Sequence, residues 1–88
     1  SGNDYFQAAS YYHTEGKNLE QALAWMQKAT EGDNPPFWYL RRMSLIQADL
    51  GDKAGAIATA KKSLEGAVKA GNKDYEKMNN DSIKEWSK

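Results

Sequence analysis

Glycine stands at positions 16, 32, 51 and 71, and each of these follows a stretch whose apolar residues recur with helical spacing. A glycine just past a helix end takes the left-handed conformation that closes the last turn at no steric cost. The spacing therefore cuts the chain into helices too short to be rods and too closely joined to be separate domains. Start signals complement the stops. Asn18 precedes Leu19, with Gln21 three residues on, as in a capping box. Asn34 precedes Pro35, and proline suits a first helical turn. Asp52 and Asn72 can accept hydrogen bonds from the first free N–H groups of the two helices that follow them. These signals predict five helices, over 4–15, 18–31, 35–50, 53–70 and 73–87. No segment alternates with period two between turn residues, so no strand is expected.

The apolar pattern agrees. Tyr5, Ala8, Ala9 and Tyr12 share one face of the first helix, and Ala22, Leu23, Met26 and Ala29 one face of the second. The third carries Tyr39, Met43, Ile46 and Leu50, with Phe37 and Leu40 alongside. The fourth is alanine-rich, which favours helix and lets neighbouring axes approach closely. The fifth places Tyr75, Met78, Ile83 and Trp86 on one stripe of an otherwise polar helix, so one face is expected to be covered and the other solvated. Connections of two to four residues make successive helices antiparallel neighbours, in either a closed bundle or an open stack of hairpins.

Internal repetition favours the stack. Gly16-Lys17-Asn18-Leu19-Glu20-Gln21-Ala22-Leu23 parallels Gly51-Asp52-Lys53-Ala54-Gly55-Ala56-Ile57, and Gln27-Lys28-Ala29-Thr30-Glu31 parallels Lys61-Lys62-Ser63-Leu64-Glu65. The glycines are 35 positions apart and the alanines 34. A helix–turn–helix unit of that period resembles the tetratricopeptide repeat. Tyr5, Ala8-Ala9 and Tyr12 match the family's first-helix pattern; in the second repeat Leu40, Met43-Ser44 and Gln47 stand there, so the last aromatic is lost. Ala22 and Ala56, then Ala29 and Ser63, match the second-helix pattern, and Pro35 the proline that ends a repeat. The resemblance implies an all-α fold of two helix–turn–helix repeats and a C-terminal capping helix: five antiparallel helices in a right-handed superhelical stack. Residues 3–36 form the first repeat, 37–71 the second and 72–88 the cap, after Ser1-Gly2, which reads as a remnant of tag removal. The arrangement, with its closing Asn79-Asn80-Asp81-Ser82-Ile83-Lys84-Glu85-Trp86, also resembles the helical tail of an uncharacterised family of bacterial envelope proteins in which a β-sandwich precedes such a tail. That resemblance implies an exported parent, periplasmic or in the cell envelope, and no activity.

Lysine plus arginine and aspartate plus glutamate number 12 each, whereas a nucleic-acid binder normally shows a basic excess. The longest apolar run, Phe37-Trp38-Tyr39-Leu40, is far too short to span a bilayer. Without cysteine there is no disulfide and no thiolate site, and a single histidine makes zinc improbable. Ser10 and His13 lie three apart on one helix, but no orienting acid or oxyanion hole accompanies them. The glycines stand singly at helix ends and cradle no phosphate. We expect no cofactor, no metal and no catalysis.

Within the resemblance, first-helix residues between the packing positions line a concave face. These are Phe6, Ser10 and His13 from the first repeat, and Trp38, Arg41, Leu45 and Ala48 from the second, with Glu76 and Asn80 added by the closing helix. Trp38, Arg41 and Leu45 lie on one stripe, with the composition of an interface hot spot. Trp38 could equally pack inward, beside Tyr39 and Leu40. Some members of the family hold a partner's C-terminal carboxylate with lysine and asparagine; Phe6 and Ser10 occupy those first-repeat positions here, so that clamp is not implied. The expected function is a non-catalytic module that binds a peptide or protein domain through this face. The alternative is a structural appendage or self-association module of a larger protein.

Overall fold

A computed structural model describes all 88 residues. The chain is all-α: α1 spans Gly2–Glu15, α2 Leu19–Ala29, α3 Phe37–Asp49, α4 Lys53–Ala70 and α5 Lys73–Trp86. The cap residues act as their chemistry dictates. Asn18, Asp52 and Asn72 each accept a hydrogen bond from the backbone N–H three residues on, at 3.0, 2.9 and 3.0 Å. Gly16 and Gly71 are left-handed, with φ of 65° and 69°. Past each of them, and past Gly51, the next N–H reaches back over five residues: Lys17 to the Tyr12 carbonyl, Asp52 to Gln47 and Asn72 to Ala67, all at 2.9 Å. This closure satisfies carbonyls that the helix leaves free.

Three boundaries differ from the sequence expectation by two residues. Helix α1 begins at Gly2 with Ser1 as its N-cap, where Asp4 accepts hydrogen bonds from the Ser1 ammonium and hydroxyl, both at 3.2 Å. The bond from the ammonium holds the Asp4 carboxyl below the usual carboxylate range. Helix α2 ends at Ala29, where the Thr30 hydroxyl donates to the Met26 carbonyl at 2.8 Å, so Gly32 lies in the loop beyond it and terminates nothing. Helix α3 starts at Phe37 rather than Pro35, with Pro36 extended (φ −56°, ψ 137°) as its cap. Pro36 disfavours the helical conformation at Pro35, which the Asn34-Pro35 signal had overlooked.

Helix α3 is the axis of the molecule. It packs against α1, α2, α4 and α5, while α1 and α2 meet neither α4 nor α5. The five helices therefore do not close into a bundle. Ala9, Ala22, Met26 and Ile46 are fully buried, ringed by Phe6, Tyr12, Leu23, Trp25, Tyr39, Met43 and Leu50. Three pairs of positions aligned by the internal repeat are buried alike, Ala9 with Ser44, Ala22 with Ala56 and Ala29 with Ser63, whereas exposed Tyr5 aligns with buried Leu40. On α4 only Ala56, Ala60 and Ala67 among the alanines face inward. Their lack of bulk, with Gly66, brings α4 so close to α3 that a Cβ on Gly66 would lie 2.8 Å from the Phe37 Cβ.

Helix α5 covers α4 with a face centred on a polar residue. Asn79 is fully buried, flanked by half-buried Tyr75, Ser82, Ile83 and Trp86, while Met78 turns outward. The Asn79 amide donates to the Ser63 hydroxyl at 2.9 Å, and Ser63 donates to the Phe37 carbonyl at 2.8 Å. One polar chain thus ties α5 through α4 to the first turn of α3. No helix is long and apolar enough to cross a membrane.

Candidate interaction cleft

The odd-numbered helices leave a shallow cleft of about 260 Å³ between them. Phe6 comes from α1, Trp38, Arg41, Arg42 and Leu45 from α3, and Tyr75 and Met78 from α5. The floor is aromatic. Phe6 stacks on Tyr39, with centroids 4.1 Å apart and planes 8° apart. Trp38 stands edge-on to Phe37 and to Tyr39, and Phe37 edge-on to Tyr75. These are the offset and T-shaped geometries that ring quadrupoles favour. Trp38 keeps 46% of its surface exposed, so it is a cleft residue rather than core.

The two arginines enter from α3 and are held by one nitrogen each. Nη1 of Arg41 donates to α5, at 2.8 Å to the Ser82 hydroxyl, 3.3 Å to the Met78 carbonyl and 3.4 Å to the Asn79 side-chain carbonyl. Burial pushes the Arg41 pKa below the usual guanidinium value. Nη1 of Arg42 lies 3.0 Å from His13 Nδ1. A guanidinium can only donate, so Nδ1 accepts and the imidazole proton sits on Nε2, which donates to Asp49 at 2.7 Å. None of the ion pairs in the molecule includes either arginine.

Of the residues that the sequence places on the concave face, Phe6, Trp38, Arg41 and Leu45 meet in the cleft, and Ser10, His13, Ala48, Glu76 and Asn80 do not line it. Ser10 is turned inward, its Oγ buried without a hydrogen-bond partner. His13 is engaged on both nitrogens as the clasp between α1 and α3, and no hydrogen bond joins it to Ser10. Glu76 pairs with Lys73 at 3.5 Å. Asn80 is solvent-exposed, because the inward position of that turn belongs to Asn79. Three lining residues escaped the sequence reading. Arg42 was visible as half of the basic doublet, whereas Tyr75 and Met78 were assigned to packing.

A second, larger cleft of about 490 Å³ lies between the α2–α3 loop and α4. Asp33, Lys62, Glu65 and Lys69 line it, so charges of both signs offset one another and few apolar groups contribute. No three His, Cys, Asp or Glu residues are grouped to hold a metal. No protein-family model, curated protein or solved structure matches the chain.

Proposed function

We propose that this chain is a non-catalytic protein-interaction module, a tetratricopeptide-like stack of two repeats and a cap, whose α1–α3–α5 cleft binds an extended peptide or a projecting edge of a protein domain. The observation that carries the reading is Trp38, a large ring left nearly half exposed beside Phe6, Leu45 and two arginines. Tryptophan and arginine dominate interface hot spots because they bury much area around a few directional contacts. The position of α3, touching both other odd helices, supports a stack whose open face these helices share. At about 260 Å³ the cleft is smaller than the roughly 300–1,000 Å³ of most small-molecule sites, which favours side chains of a partner over a free metabolite.

Selection from a random linear-peptide display library against the intact chain, followed by affinity measurement, tests this. Selected peptides should bind the wild type and lose affinity at least about tenfold on Trp38→Ala, the scale of one hot-spot residue. A library that yields no binder, or binders indifferent to Trp38, would overturn the reading.

Tyr5 and Tyr11 favour a second reading. They are 39% and 55% exposed on α1, which has no helix beyond it. A self-associating chain, or one docked on a neighbouring domain, would cover them. A strict monomer by sedimentation equilibrium at high concentration counts against self-association.

A further inference from the structure

Given that the cleft is an interaction site, we infer that it selects an acidic side chain next to an aromatic or aliphatic one in a peptide, with the carboxylate on Arg41 and Arg42 and the apolar group against Trp38. This rests on the function proposed above and adds the chemistry of the partner.

The arginines carry the argument. Both reach one small cleft, and no acidic residue lines it. Both spend only Nη1 on the protein, so Nε and Nη2 of each remain free to donate. A guanidinium offers five N–H donors in a planar fork that matches a carboxylate. Arg41 is, moreover, partly desolvated, and its acceptors on α5 are all neutral. A half-buried cation without a counter-ion is an electrostatic deficit that an incoming anion offsets. Asp49 does not fill that role for Arg42, because the His13 imidazole lies between them.

The chain also pre-positions both groups. Arg41 is fixed by three acceptors on α5, and Arg42 by the single tautomer of His13 that accepts from it. A partner therefore does not meet the full entropic cost of ordering two long side chains. The exposed Trp38 ring supplies an apolar contact beside the charge. A side-chain carboxylate fits better than a nucleic-acid backbone: there are only two cations, the cleft contains no lysine, and the chain is neutral overall.

Peptides selected by display should show Asp or Glu close to an aromatic or aliphatic residue. Resynthesis with the acidic residue replaced by its amide should weaken binding to the wild type about tenfold. Arg42→Gln removes the charge and keeps the aliphatic stem as far as Cδ, while giving up the Nη1 contact with His13. It should weaken the acidic peptide about tenfold and leave the amide peptide unchanged, the coupling expected of a direct contact. Arg41→Lys, which keeps the charge and loses the fork, should also weaken the acidic peptide. Should Arg42→Gln not fold, the amide replacement and the salt dependence on wild type still decide: raising sodium chloride should weaken the acidic peptide only. Binders that depend on Trp38 yet tolerate the amide overturn this inference and leave the cleft reading standing. Failure to select any Trp38-dependent binder removes both. Tight binding of labelled oligouridylate, abolished by Arg42→Gln, would overturn the inference in favour of a nucleic-acid partner.

Discussion

Asn79 and Ser10 show how differently two inward polar side chains behave. Asn79 has its partners: its amide donates to Ser63, and its carbonyl accepts from Arg41. Replacing it with alanine removes the link from α5 to α4 and leaves buried polar groups short of a partner, so Asn79→Ala should destabilise the chain by about 1–3 kcal/mol in urea unfolding. Ser10 Oγ has no partner. Ser10→Ala removes an orphaned hydroxyl and should therefore be neutral or stabilise by up to about 1 kcal/mol in the same measurement. The pair is informative because periodicity treats both as polar residues on a helix and ranks neither. Periodicity put Asn80 on the concave face, whereas it is solvent-exposed outside the cleft, and Asn79, about 100° round the helix, is the residue that turns inward onto α4. Trp38, Arg41 and Leu45, which it put on one stripe of α3, meet Phe6 of α1 in the cleft. His13 was out of reach for the same kind of argument, since its partners Arg42 and Asp49 lie 29 and 36 residues away. Its tautomer can be read directly: long-range proton–nitrogen NMR at alkaline pH should show the proton on Nε2, and a proton on Nδ1 would contradict the Arg42 contact.

At the scale of elements, helix stops and starts were legible wherever one local signal acted alone. Gly16, Gly51 and Gly71 end helices because the N–H beyond each completes the same five-residue return. Gly32 does not, because α2 has already ended at Ala29, and two successive prolines delay α3. The close approach of α4 to α3 was only half legible. The alanines announced it, but Gly66 is where the backbones leave no room. Alanine there gains up to about 1 kcal/mol in helix propensity. It also sets a Cβ 2.8 Å from the Cβ of Phe37, an atom that cannot swing aside. Overpacking of this kind costs about 1–3 kcal/mol. Gly66→Ala should thus lower the melting temperature, against the trend for an exposed helical glycine.

Across the whole molecule, α1 and α2 never reach α4 or α5, so α3 alone joins the two ends. The radius of gyration, 12.1 Å, nevertheless matches the roughly 12 Å of a compact domain this size. Helix α5 contributes by covering α4 with Tyr75, Ile83 and Trp86 and by completing the cleft with Tyr75 and Met78. Ending the chain after Asn72 preserves the closure of α4 and removes that cover. Such a chain should lose about 3–5 kcal/mol of stability, since each large apolar side chain contributes roughly 1.5–3 kcal/mol when fully buried and these are half-buried. Equal melting temperatures for the truncated and intact chains would make α5 a tail rather than a cap. The α1–α3–α5 cleft as the binding face is tested most directly by one comparison: the affinity of a display-selected peptide for the wild type and for Trp38→Ala, both folded by circular dichroism. The account predicts a loss of at least about tenfold; equal affinity would contradict it.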